Sequence, residues 1–192
     1  MNTDLSSTRD RILSVAAEVF QQKGLAGARM QEIADKAGIN KAMLHYYFKT
    51  KDDLFSQVFE QSLALFVHKI QQILASELSL PEKVAQYVDH TLDSLSANPT
   101  IPPFVMHEIN RDPQRITAVF AGDNRIDLSR FNGHFGSILQ ANQFFTDMVS
   151  LCVYPFVARP MLEKLLGMTD EGYKQFLQQR KKHIKAVLNK LL

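Results

Sequence analysis

The side chains best suited to chemistry lie between positions 40 and 51. This segment, NKAMLHYYFKTK, contains three lysines and no carboxylate. On a helix from Lys41 to about Tyr47, the outward face carries Lys41, Ala42, Met43 and His45, with Tyr46, Tyr47 and Lys49 near its end. Short or flexible side chains near a helix N-terminus fit the major groove of DNA, and cations and phenols contact phosphates. A lysine-bearing helix end is also typical of an ordinary solvated surface, so the charge pattern alone does not decide.

Other reactive side chains form no recognisable catalytic or metal site. His107-Glu108 resembles the start of a zinc-protease motif, but no second histidine follows four residues later. The remaining histidines, at positions 45, 68, 90, 134 and 183, are scattered. Cys152 lies in an apolar stretch, where a small buried side chain is favoured over a redox sensor. We therefore predict no enzyme, no catalytic residue, no metal and no cofactor.

Composition limits the class of protein. The chain has 192 residues, of which 45% are hydrophobic, and this is enough for a sizeable core. Its net charge is only +2, so any contact with nucleic acid must come from a local patch. The single cysteine, the polar start and the absence of an apolar run of ~18 residues predict a soluble cytoplasmic protein without membrane contact.

The elements that must position these side chains are helices. Apolar residues recur three and four positions apart almost throughout, and alternating segments bounded by hairpin dipeptides are absent, which predicts an all-α fold. Caps and helix-breaking residues predict five helices in the first half of the chain, which begin at Ser7, near Met30, at Lys41, after Thr50 and after Ser79. A short element is predicted from about Pro102 to Asn110, and another helix starts at Asp112-Pro113. The last two helices are predicted at about Ala141–Ala158 and Asp170–Leu191. The first helix should end at Gly24 and bury Ile12, Ala16, Val19 and Phe20.

The last two helices suggest an interface between two copies of the chain. Both are apolar on more than one face, so each needs two partners. In the final helix, apolar residues follow a near-heptad spacing that Arg180 interrupts. These residues are Tyr173, Leu177, Ile184, Val187 and Leu191. We predict a homodimer through residues 141–158 and 170–191. The cations that follow Glu171 in this helix are interpreted as a solvated face.

The second and third helices together predict a helix-turn-helix at about residues 29–48. They flank a turn at Ala37-Gly38-Ile39, where glycine can take a positive φ. A small residue at Ala34 allows the helices to approach, and the expected crossing core is Ile33, Ile39 and Leu44.

The N-terminal segment resembles the tetracycline-repressor family. The resemblance lies in A-x-x-x-F at Ala16–Phe20, Gly24, E-I-A at Glu32–Ala34, A-G-I at Ala37–Ile39 and L-H-Y-Y-F-x-x-K at Leu44–Lys51. It covers about the first 60 residues, and beyond them it depends on helical layout and on the segment SLCVYPFVARPM at Ser150–Met161. It implies a homodimer on a palindromic double-stranded DNA operator, with a second, helical domain that binds a small-molecule effector and thereby releases DNA.

The resemblance also implies which residues contact DNA. Carried onto this sequence, the DNA-binding positions are Arg29, Gln31, Asn40, Lys41, Ala42, Met43, His45, Tyr47 and Lys51, while Tyr46 and Phe48 mainly support them. Arg29 departs from the family, which commonly has a Ser or Thr that caps the second helix. Arginine can reach a phosphate but cannot cap in that way.

A second departure lies at Gln140-Ala141, where the chain has no turn signal although related chains place a polar loop there. The hypothesis is that residues of a loop have been left out at this point.

An effector site needs an apolar cavity with a few polar anchors. Candidate ligand-binding residues in the central helices are Tyr87, His90, Thr91, Phe104, His107, Phe145 and Met148. Each could instead simply pack in the core. An apolar or aromatic ligand is slightly favoured.

The sequence therefore predicts a DNA-binding domain at residues 1–52 and an effector-binding and dimerisation domain at residues 53–192. The predicted function is a ligand-responsive, sequence-specific transcriptional regulator that represses. The alternative is a helical ligand-binding or adaptor protein that keeps the N-terminal fold but does not bind DNA.

Overall fold

The fold is all-α, as predicted. A computed structural model describes residues 2–114 and 129–192 of the chain. Its helices are α1 (Asn2–Gly27), α2 (Met30–Lys36), α3 (Lys41–Tyr47), α4 (Lys51–Ala75), α5 (Leu80–Ala97), α6 (Ile101–Arg111), α7 (Ser129–Asn132), α8 (Ile138–Val157), α9 (Arg159–Leu166) and α10 (Asp170–Asn189). No strand occurs in these two segments. The element predicted from Asp112-Pro113 falls largely outside the described residues.

The described residues form two compact units. The N-terminal unit contains the chain up to Leu65 and a segment that begins at His107, and the core unit contains Phe66–Met106 and α7 to α10. The division falls within α4 and α6, so both helices run from one unit into the other. The domain boundary predicted after residue 52 lies in the first turn of α4, whereas the division between the two units falls after Leu65 of the same helix.

The first helix is longer than predicted. It begins at Asn2 and not at Ser7, because no glycine or proline precedes Ser7 to stop the helix from extending backwards. Its predicted interruption at Gly24 is present, since this residue takes a φ of 65° inside the helical run. The four residues predicted to be buried are fully so, and they are Ile12, Ala16, Val19 and Phe20.

The ends of α4 and α5 hold each other in place. The backbone N–H and the hydroxyl of Ser79 donate to the Glu82 carboxylate at 2.9 and 2.6 Å, which lowers the pKa of that carboxyl and confirms the predicted cap. Lys83 is buried, and its Nζ donates to the carbonyl of Leu74 at 2.9 Å. This carbonyl lies in the last turn of α4, where the helix offers it no backbone donor. A cation there also interacts favourably with the helix dipole.

The helix predicted from Ala141 begins three residues earlier, at Ile138. Ser137 caps it by accepting a hydrogen bond from the N–H of Gln140 at 3.2 Å. Gln140 and Ala141 are therefore consecutive residues of one helix, and the N–H of Ala141 donates to the carbonyl of Ser137 at 3.1 Å. No turn is needed at this point, so the geometry gives no support to the hypothesis of omitted residues. Helix α8 ends at Val157, before Pro160 as predicted, and Pro160 lies in the first turn of the short helix α9, where proline is tolerated.

Arg180 interrupts the apolar spacing of α10 for a local reason. Pro155 lies inside α8 and has no N–H, so the carbonyl of Leu151, four residues earlier, loses its helical donor. The guanidinium of Arg180 donates to this carbonyl at 3.4 Å. The cation therefore compensates for the proline.

The prediction that the last helix is apolar on more than one face is wrong. Its apolar side chains form a single broad face, and Tyr173, Leu177, Ile184 and Leu188 are buried in the core of the same chain. The opposite face is polar and exposed, and it includes Lys174, Gln178 and Lys182. Three residues of the predicted heptad are thus already used by packing within one copy of the chain.

Candidate nucleic-acid interface

The crossing of α2 and α3 is built as predicted around a tight turn. Ile33, Ala34 and Leu44 are fully buried, whereas Ile39 is only half-buried. The N–H of Ala37 donates to the carbonyl of Ile33 at 2.9 Å and ends α2. Gly38 then takes a φ of 65°, in the left-handed region that disfavours other residues. The two helices are therefore joined by buried apolar side chains and a glycine bend.

Side chains on neighbouring elements hold the start of α2. Arg29 has extended backbone angles and no capping hydrogen bond from its side chain, as the sequence indicated. The Nζ of Lys51 donates to the carbonyl of Ala28 at 3.1 Å. The Nζ of Lys23 lies 2.7 Å from the Glu32 carboxylate, and this hydrogen bond lowers the pKa of Glu32. These contacts connect α1, α2 and α4 without a capping serine or threonine.

The two ends of α3 are also fixed. The side chain of Asn40 accepts a hydrogen bond from the N–H of Met43 at 2.7 Å, which confirms the predicted cap. At the other end Phe48 is fully buried, with the guanidinium of Arg9 5.6 Å from its ring centre. Thr50 then caps α4 by accepting from the N–H of Asp53 at 3.0 Å. This short helix therefore does not depend on its own propensity to stay folded.

Most of the predicted DNA-binding side chains are exposed. Half-buried positions are Tyr47 and Lys51, and exposed ones are Arg29, Gln31, Asn40, Lys41, Ala42, Met43 and His45. Four of them already have local partners: Asn40 caps α3, Lys51 donates to the carbonyl of Ala28, Gln31 donates to Asp35 at 2.7 Å, and Nδ1 of His45 lies 3.3 Å from the carbonyl of Lys49. The side chains that protrude from the first turns of α3 are therefore Lys41, Ala42 and Met43.

Tyr46 differs from its predicted supporting role. Its side chain is 78% exposed and contacts the ring of Tyr47 edge-on, with ring centres 5.4 Å apart. The helical period gave a signal for this, because Tyr46 follows Met43 by three residues and therefore shares its face. The exposed surface of α3 thus includes this phenol.

Charge on this surface is positive. Lys41 and Lys49 are exposed, and α3 carries no acid. Helix α2 carries two acids: Glu32, whose carboxylate lies 2.7 Å from the Nζ of Lys23 and 3.8 Å from that of Lys36, and Asp35, which accepts from Gln31 at 2.7 Å. The positive charge of α3 and its exit therefore comes from Lys41 and Lys49, and it favours an anionic ligand there.

The predicted effector residues divide between the two units. Tyr87 and Met148 are buried in the core unit and Phe145 packs against the same core, while burial raises the pKa of Tyr87 above its usual value. Thr91 and Phe104 are also buried there and His90 is half-buried. His107 lies instead in the N-terminal unit and its side chain is 68% exposed, so the structure does not group it with the other six.

The zinc-like pair His107-Glu108 has a local role. The carboxylate of Glu108 is fully buried and lies 2.9 Å from the guanidinium of Arg111. Within residues 2–114 and 129–192, no cluster of three potential metal ligands occurs. None of the helices in these ranges has the length and hydropathy needed to cross a membrane.

Comparison with known proteins identifies the N-terminal segment. The model of the family described as bacterial regulatory proteins, tetR family, matches residues 12–58. The HTH-type transcriptional repressor KstR2 of Mycolicibacterium smegmatis is 35% identical over 79 residues, which is 41% of this chain and 38% of that protein. This chain matches KstR2 and the next two curated relatives over less than two fifths of their own length.

Two further similarities extend over most of the chain. The HTH-type transcriptional repressor SCO4008 of Streptomyces coelicolor is 25% identical over 184 residues and 88% of each chain. The crystal structure of the transcriptional regulator FadR from Bacillus subtilis, in complex with stearoyl-CoA, superposes with a TM-score of 0.70. It has 16% identity and covers 93% of this chain and 96% of the other, so this likeness concerns the fold.

Proposed function

Because the chain belongs to the tetR family of bacterial regulatory proteins, we propose that it is a ligand-responsive, sequence-specific DNA-binding regulator that acts as a repressor in the cytoplasm. The observation that carries this proposal is the exposed, acid-free surface of α3 on a rigid helix crossing. A helix that is clamped at both ends presents its side chains in one geometry, which base recognition requires. No catalytic activity is proposed.

The exposed side chains have different roles in this proposal. Lys41, Ala42 and Met43 project from the first turns of α3, where a recognition helix reads base edges in the major groove. Arg29, Tyr47 and Lys51 lie around them and contact phosphates, which positions the helix without reading sequence. Gln31 and His45 reach DNA only by exchanging the local contacts that they make to Asp35 and to the Lys49 carbonyl.

We further propose that the protein acts as a homodimer through α8 and α10. Two copies of α3 separated by one helical turn of DNA, ~34 Å, would read a palindromic operator. On α8, Val149, Val153 and Val157 are spaced four residues apart; the first two are half-buried and pack partly against the core of the same chain, and Val157 is exposed. The residues of α10 that were predicted to form the interface are buried within the chain, so this stripe on α8 is what supports the proposed interface.

The effector is proposed to bind in the core unit, near Tyr87, Thr91 and Met148. Two polar atoms are buried there, namely Nε2 of His90 and the hydroxyl of Thr91, which lies within reach of the phenol of Tyr87. Such atoms are the kind of polar anchor that an otherwise apolar site offers. A ligand releases DNA only if it binds more tightly to a dimer geometry that no longer fits two adjacent grooves.

Selection of bound sequences from a random DNA library tests the proposal. We expect enrichment of a palindromic sequence by the wild-type protein. The alternative, an adaptor that keeps this fold without binding DNA, predicts that no sequence is enriched although the protein is folded. Electrophoretic mobility shift with the enriched duplex then measures affinity at a stated salt concentration, since such affinities depend strongly on salt.

A further inference from the structure

The most exposed aromatic side chain of α3 has no role in the function proposed above. Tyr46 is 78% exposed, whereas Tyr47 is half-buried and Phe48 is fully buried. An exposed aromatic ring gains free energy when a ligand covers it, and it loses little conformational entropy because it has few rotatable bonds. Tyr46 is therefore well suited to contact whatever binds α3.

Helix geometry directs the ring of Tyr46 towards the first turns of α3. Side chains of an α-helix tilt towards its N-terminus, so a ring at position 46 covers the turn that precedes it. The residues three and four positions earlier are Met43, which is 43% exposed, and Ala42, which is too short to fill the space beside the ring. The ring of Tyr47 meets that of Tyr46 edge-on, at 84°, and limits the orientations open to it.

Ala42, Met43 and Tyr46 together give the exposed surface of α3 an apolar part. The edges of the base pairs in the major groove present hydrogen-bond donors and acceptors, and the apolar group among them is the 5-methyl of thymine. Covering a donor or an acceptor with an apolar side chain costs free energy, because the group loses its water without gaining a partner. An apolar surface is therefore favoured in the groove where methyl groups face it.

We propose that Tyr46 is a specificity-determining residue whose ring, beside Met43, packs against 5-methyl groups of thymine in the operator. This inference rests on the proposed function, since it requires that α3 enters the major groove. It adds a chemical feature of the operator, and a residue outside the positions that the family resemblance assigns to DNA. The alternative for this side chain is a phosphate contact by its hydroxyl, which would depend neither on the ring nor on the methyl group.

Deoxyuridine tests the methyl contact without changing a hydrogen bond, because uracil differs from thymine only in lacking the 5-methyl. Each thymine of the palindrome selected by the wild type is replaced in both half-sites, one position at a time. Fluorescence anisotropy then measures the affinity of the full chain for each duplex at one salt concentration. We expect at least one position at which affinity falls about tenfold, since a buried methyl contributes about fourfold in each half-site.

Two substitutions of Tyr46 assign this effect to its ring. Tyr46→Phe keeps the ring, so its affinity should stay within about twofold of the wild type and its preference for thymine over uracil should persist. Tyr46→Ser removes the ring, so it should bind the thymine palindrome more weakly and bind the thymine and uracil duplexes within about threefold of each other. Both variants should keep the wild-type melting temperature, because the side chain is exposed.

The neighbouring Tyr47 provides a matched control. Its hydroxyl is proposed to contact a phosphate, which carries no sequence information. Tyr47→Phe should therefore weaken binding to every duplex alike and leave the preference for thymine over uracil unchanged.

Three results would overturn the proposal. They are the absence of any thymine position that responds to uracil, a full thymine preference in Tyr46→Ser, and a loss of affinity for all duplexes in Tyr46→Phe, which would indicate a phosphate contact by the hydroxyl. If no palindrome is selected, the proposed function fails and this inference fails with it. If a palindrome is selected but no thymine in it responds to uracil, only this inference fails.

Discussion

Lys51 combines two roles at the level of a single side chain. The family resemblance assigns it to a phosphate, and the structure shows its Nζ donating to the carbonyl of Ala28. It is half-buried, so part of its contribution belongs to the fold and not to DNA.

Lys51→Ala should therefore weaken binding to every DNA sequence alike, lower the slope of log affinity against log salt by about 1, and also lower the melting temperature. Affinity measured at several salt concentrations and a thermal melt test both effects. Lys49→Ala, at an exposed position, is the control for stability and should leave the melting temperature unchanged. A change of base preference in Lys51→Ala would contradict a phosphate role.

Lys83 is a residue whose role only the structure revealed. Its buried ammonium satisfies the carbonyl of Leu74 in the last turn of α4. Lys83→Met keeps the shaft and removes the donor, so the free energy of unfolding should fall by about 1 to 2 kcal/mol. Urea denaturation measures this change, and an unchanged midpoint would show that water replaces the ammonium there.

At the level of elements, α8 and α10 depend on each other through Pro155 and Arg180. Arg180→Met should cost about 1 to 2 kcal/mol, because the Leu151 carbonyl then lacks a donor. In a Pro155→Ala background, the alanine N–H restores the helical bond and the same change should cost clearly less. Urea denaturation of the four proteins gives the coupling free energy. Additive effects of the two substitutions would contradict this explanation of Arg180.

Local signals in the sequence predicted the helix-turn-helix and most helix ends. Gly38 and the caps at Asn40, Thr50 and Ser79 act within four residues of themselves, so their effects can be read from the chain. Contacts between distant residues could not be read in this way. The partners of Arg180 and Lys83 depend on helix packing. Tyr46 is exposed because its helical period places it on the face of Met43, although the family resemblance implies a supporting role. Helix α8 begins before Ala141 because Ser137 caps it.

At the level of the whole molecule, a nearly neutral chain keeps its positive charge on particular surfaces. The net charge is +2, yet α3 is free of acid. In the final helix, by contrast, the lysines Lys181 and Lys185 are paired with acids of α5. Local distribution of charge, and not total charge, therefore supports the proposed DNA contact at α3.

The proposed dimer can be tested on the valine stripe of α8. Val157 is 37% exposed, and Val157→Glu would place a charge in the apolar interface and should shift sedimentation towards the monomer. Leu165→Glu is the control, since Leu165 is 72% exposed on α9, outside the two proposed helices. If Val157→Glu remains a dimer, the interface does not include this stripe.

The central claim is that the exposed surface of α3 reads DNA sequence. Its most direct test is the affinity of the wild type, Lys41→Ala and Met43→Ala for the selected palindrome, for variants with single base substitutions, and for random DNA. We expect Lys41→Ala and Met43→Ala to change which bases are preferred and to lose about 1 to 3 kcal/mol of binding free energy on the palindrome, with a much smaller loss on random DNA. Equal losses on specific and random DNA for both variants would contradict it.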